Sequence, residues 1–87
     1  MATMVIHHKV NGYAAWRPAY DAHERSRVSA GITNGRVFRG AEDPNTLVIL
    51  FDVADVPKAH TWCASEDLKS VMTRAGVLGK PEISFVE

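Results

Sequence analysis

The chain is short of several things at once, and each shortage removes a class of function. Only one cysteine, Cys63, occurs in 87 residues. There is then neither a disulfide framework nor a zinc-type cysteine cluster, and the chain suits a reducing compartment. No run approaches the ~20 apolar residues of a membrane span, and the opening "MATMVIHHKV" lacks the apolar core of a signal peptide. A cytoplasmic protein with no membrane partner is the expectation. An excess of charge is missing too: 10 basic and 10 acidic residues cancel, interspersed in "HERSR", "RVFRGAED" and "SEDLK". Nucleic acid is not an expected partner, because its binding rests on clustered Lys and Arg. Without repeats or linkers, residues 1–87 read as one domain. A domain of this size buries too little surface to be comfortably stable unassisted.

What is present alternates clearly. In "MVIHHKV" (Met4–Val10), Met4, Ile6, His8 and Val10 share one strand face and Val5, His7 and Lys9 the other. Consecutive strand residues point oppositely, so His7 and His8 cannot serve one pocket. A helical segment follows, with Asn11 as N-cap, Gly31 as stop and a stripe of Tyr13, Trp16, Tyr20, His23 and Arg27. Pro18 lacks an amide donor, so the reading is a loose turn over 12–16 and a regular helix from Arg17. "ITNGRVFR" is a second strand with a bulge or bend at Asn34-Gly35, and "GAEDPN" turns the chain. "TLVILFDV" is a third strand, apolar on both faces. Asp55 caps a second helical region with the stripe Val56, Ala59, Trp62 and Cys63. Past Ser65, a further cap, the phase moves to Leu68, Val71, Met72 and Ala75, which predicts a kink or two helices at "CASED". "PEISFVE" closes as a last strand.

The order is β-α-β-β-α-β, an α+β ferredoxin-like arrangement with an antiparallel sheet and two helices on one face. "LVILF" demands cover on both faces, while the chain offers only one helical layer. A second copy is the economical cover, so a homodimer with its sheets face to face is expected.

Four stretches, "HKVNGYAAW", "YDAHE", "RGAEDPN" and "AGVLGKPEISF", resemble the dimeric α/β-barrel superfamily. It includes antibiotic-biosynthesis monooxygenase-like proteins and small cyclase-type proteins. The resemblance implies a cavity in each protomer, between sheet and helices, that holds a flat organic molecule. It also implies polar side chains reaching into that cavity for acid-base chemistry. Activity is less specified, since the fold hosts monooxygenases, cyclases, isomerases, and dechlorinating and haem-degrading enzymes. Quinone-forming and haem-degrading members typically use Asn and Trp with a third polar residue. Trp62 can match that tryptophan, whereas the first strand has no Asn.

Val10 leads directly into the helix, which puts Met4, Ile6 and His8 on the helix side and turns His7 toward the partner sheet. The catalytic candidates are therefore His8, His23 and Tyr20. Two imidazoles can divide acid and base work on an enolisable carbonyl or phenol, and a tyrosine can donate to an enolate oxygen. The plainer alternative makes His8 and His23 satisfied core histidines and Tyr20 packing. Trp16 and Trp62 can flank a planar ligand, Arg27 can neutralise an anion at the cavity mouth, and Ile6 and Phe51 complete the expected wall. Cys63 reads as a small buried hydrophobe. A metal needs three or four ligands and His8 with His23 supplies two, so neither metal nor cofactor is expected. Two functions follow: a cofactor-independent cyclase, isomerase or monooxygenase acting on an aromatic or polyketide-like molecule, or a non-catalytic homodimer that binds a small ligand.

Overall fold

In the computed structural model, which describes residues 1–87, eight elements follow one another. They are β1 (Ala2–Val10), α1 (Tyr13–Ala22), α2 (Glu24–Ser29), β2 (Ile32–Arg39), β3 (Thr46–Val53), α3 (Val56–Cys63), α4 (Glu66–Ala75) and β4 (Val77–Val86). The strands form one antiparallel sheet in the order β2-β3-β1-β4. This is the ferredoxin-like β-α-β-β-α-β arrangement, with each helical arm divided in two.

The second arm divides where its caps predict. Asp55 Oδ1 accepts the Lys58 amide at 3.1 Å, and Ser65 Oγ accepts the Leu68 amide at 3.2 Å. Glu66 and Asp67 then place negative charge in the first turn of α4, against its positive end.

The first arm departs from expectation. It is regular from Tyr13, runs through Pro18, and breaks instead at His23. Gly12 is the N-cap, while the Asn11 amide is taken by the Gly76 carbonyl at 2.8 Å. Proline here forfeits a single hydrogen bond. At the break the Tyr20 carbonyl accepts the His23 amide at 3.2 Å and Arg27 Nη1 at 2.8 Å.

Two strands are longer than their alternation suggests. β1 starts at Ala2, which pairs with Val53. β4 starts at Val77, not Pro81, because Val77 and Leu78 pair with Val10 and Lys9. From Leu78 to Glu82 β4 takes four steps against two from Lys9 to His7, a bulge beside His8 that Gly79 allows with φ 68°. The bulge in β2 falls at Asn34-Gly35 as predicted: Thr33 and Arg36 pair with Asp52 and Leu50, and Asn34 has φ 53°.

Parity settles the core. Met4, Ile6, His8 and Val10 of β1 and Leu47, Ile49, Phe51 and Val53 of β3 are buried beneath the helices. A fully buried side chain of this kind contributes ~1.5–3 kcal/mol. The opposite face carries Val5, Val48 and Leu50, half-buried, together with the exposed His7 and a Phe38 that remains 54% exposed. No other element of the chain lies over that face.

Candidate active site

Between the inner sheet face and the helices lies a cavity with about 50 Å³ of space open to a water-sized sphere. The sheet contributes Ile6, His8 and Phe51 to its wall, the first helical arm Trp16, Tyr20, His23 and Arg27, and α3 Trp62. Every site residue expected from the sequence therefore meets at one place. Leu68, Val71 and Met72 of α4 close it as an apolar lid. The volume is small, since ~150 Å³ is needed for a single benzene ring. As it stands the cavity has room for water and not for a flat organic molecule.

His8 is only 6% exposed, and neither Nδ1 nor Nε2 has a hydrogen-bond partner. Its ring meets Trp16 edge-on at 5.8 Å between centroids. Burial, and secondarily the neighbouring His7, lower its pKa from 6.5 to about 4. The imidazole is thus neutral near pH 7 and carries an unused donor and an unused acceptor. Leaving them unpaired costs on the order of 1–3 kcal/mol. No protein group satisfies this core histidine.

His23 occupies the break between α1 and α2, stacked on Trp62 at 5.6 Å. Its Nε2 lies 3.1 Å from Asp67 Oδ2. A carboxylate only accepts, so Nε2 carries the proton and Nδ1 is the free acceptor when the ring is neutral. Trp62 is itself anchored, its Nε1–H donating to Ser26 Oγ at 3.0 Å. Asp67 and Ser26 were not among the expected residues. Asp67 reads in sequence as a carboxylate suited to a helix start, and nothing local connects it with a histidine 44 positions away.

Tyr20 stacks on Trp16 at 4.8 Å, and its hydroxyl lies over Gly35, where any side chain would run into both that hydroxyl and Phe51. Burial raises the phenol pKa, against the opposing pull of Arg27 and Arg17. Arg27 is not at the mouth of the cavity as expected. It is 6% exposed, with its guanidinium carbon 4.0 Å from the Tyr20 ring centre, and burial lowers its pKa. Cys63 is half-buried against Met4, its thiol pKa raised by burial, which fits the expected inert hydrophobe.

Solved structures with this architecture span almost the whole chain. A Bordetella bronchiseptica protein that carries the antibiotic biosynthesis monooxygenase name superposes with a TM-score of 0.82 at 13% identity, over 99% of this chain and 94% of that one. The fold is that of the antibiotic-biosynthesis monooxygenases. A further such monooxygenase gives 0.72 at 16% identity over 100% of this chain and 97% of its own. SnoaB, a cofactor-independent oxygenase from Streptomyces nogalater, gives 0.75 at 16% identity over 99% and 90%. No family model and no curated protein sequence matches the chain. At these identities the monooxygenase likeness is one of fold, and the residues around the cavity must argue for themselves.

Proposed function

We propose that the protein is a cofactor-independent enzyme that moves protons on a small planar aromatic or polyketide-like molecule. Its cavity would open by displacement of the α4 lid. The observation that carries this reading is His8: a buried, neutral imidazole with both nitrogens unpaired, on a wall shared with a second imidazole. An unpaired group of this kind is costly to the fold, and a polar ligand atom would relieve the cost.

The two histidines divide the work by environment. His23, with Nε2–H held by Asp67, offers Nδ1 to accept a proton from a phenol or an enolisable carbon. His8 is too weakly basic to hold that proton near pH 7 and instead hydrogen-bonds the substrate oxygen. Tyr20, a neutral phenol, is a donor for the oxyanion that forms as the proton leaves. The fold is shared with a cofactor-independent oxygenase, and an enolate or phenolate is the electron-rich species that such chemistry starts from. The half-apolar open face of the sheet supports a homodimer as the working unit, two sheets covering one another.

The test is to incubate the purified protein, without added cofactor, with phenols and enolisable polycyclic ketones while following absorbance and dissolved oxygen. Turnover on one of them should fall on the order of 100-fold in His23→Ala and in His8→Ala. Wild-type turnover retained by both variants would overturn the proposal. The small volume of the inner cavity favours a second reading, a non-catalytic ligand-binding dimer, which binding without turnover across the panel would support.

A further inference from the structure

Behind Tyr20 and Arg27 lies a second cavity of about 380 Å³, between the first helical arm and the bulge of β2. It shares Tyr20, Arg27 and Phe51 with the inner cavity, so those three side chains form the partition between the two. The outer chamber has room for a ring system, which the inner one lacks. Gly35 lets the Tyr20 hydroxyl and the Phe51 ring of the partition pack directly on the β2 backbone, since a side chain there would strike both.

The partition contains a buried cation with no direct ion pair. Arg27 makes one hydrogen bond, Nη1 to the Tyr20 carbonyl at 2.8 Å, and no ion pair, so Nε and Nη2 donate to nothing in the protein. Two carboxylates border the outer chamber. Asp21 is engaged by Arg17 at 3.1 Å and Glu24 is exposed to solvent; both favour the charge on Arg27 without touching it. Arg17 adds a second cation on the same wall. A planar guanidinium with two free donors matches a carboxylate, which it grips through paired hydrogen bonds.

We propose that the two cavities form one ligand site, and that its ligand is an aromatic acid. Its ring system occupies the outer chamber, its carboxylate rests on Arg27, and its reacting edge passes the partition toward His8 and His23. The inference builds on the small-molecule reading above and adds the charge of the substrate and the chamber that receives it.

Isothermal titration of the purified protein with 1-hydroxy-2-naphthoate and with 1-naphthol tests it, the pair differing only in the acid group. The wild type should bind the naphthoate at least about tenfold more tightly than the naphthol. Arg27→Met should reduce that preference to about twofold or less, and Arg27→Lys, which keeps the charge but loses the fork, should retain part of it. Val28→Trp, which adds bulk to the helical wall of the outer chamber, should weaken both ligands. Equal affinities in the wild type, a preference that survives Arg27→Met, full binding by Val28→Trp, or no binding of either compound at about 1 mM would each overturn the proposal. If Arg27→Met fails to fold, Arg27→Lys and Val28→Trp decide. Turnover is not part of the readout. Failure of the acid-base chemistry would therefore leave the binding preference in place, and loss of the preference would leave His8 and His23 to their own test.

Discussion

Acid should unload this fold through one side chain, His8. Its ring is buried without partners and titrates at about 4 in place of 6.5, chiefly because burial disfavours the charged form. Above pH 6.5 the ring is neutral in both the folded and the unfolded chain and exerts no pH effect. As the pH falls from 6.5 toward 4 only the unfolded chain takes up the proton, so stability falls, and below 4 the loss is complete. At ~1.4 kcal/mol per pH unit, the displacement from 6.5 to about 4 bounds the loss at about 3 kcal/mol. Water that reaches the imidazolium reduces it to about 1–2 kcal/mol. Asp43, held below its ordinary 3.8 by the Asn45 amide and then by Lys9, begins to act only at lower pH. The window between 6.5 and 4.5 is therefore informative about His8. Urea unfolding of the wild type and of His8→Leu, at equal protein concentration, checks the reasoning. The leucine removes the titrating group together with both orphaned nitrogens. The variant should be as stable as the wild type near neutral pH, or more so by about 1 kcal/mol. Its loss on acidification should be smaller by at least about 1 kcal/mol. Identical acid limbs for the two proteins would refute the assignment.

The remaining expectations concern the open sheet face and the supports of the site. Light scattering should report twice 9.6 kDa for the wild type and 9.6 kDa for Val48→Asp, with reduced stability, because the charge falls on the face proposed to meet the partner. A wild-type monomer would sink the dimer. His7→Ala, on that same face, should weaken association and leave ligand binding intact, the reverse of His8→Ala. Gly35→Val should lower stability by ~1–3 kcal/mol through the clash with Tyr20 and Phe51, and an unchanged melting temperature would count against the tight approach. Asp67→Asn should reduce turnover at least about tenfold while stability moves by less than ~0.5 kcal/mol, since the Asp67 side chain is 69% exposed. Undiminished turnover would remove Asp67 from the site.

Period and punctuation alone determined much of this protein. Two-residue alternation in "MVIHHKV" separates His8 from His7 whatever the fold, because a strand sends neighbours to opposite faces. The caps at Asp55 and Ser65 and the bulge at Asn34-Gly35 were legible for the same reason: each is a local hydrogen bond or a local dihedral preference. The stripe of Trp16, Tyr20, His23 and Arg27 was enough to gather the right side chains around one cavity. Only the tertiary structure decided what those side chains do to one another. The helix breaks at His23 and not before Pro18, and a guanidinium seven residues on donates to the Tyr20 carbonyl at that break. Asp67 reaches His23 across 44 positions because α4 packs beside the break. β4 extends back to Val77 because β1 offers it partners there. His8 is left without a protein partner, and Arg27 without a direct ion pair, because no neighbouring element brings a matching group into contact. Absence of a neighbour is a property of three-dimensional packing, and no spacing along a chain encodes it.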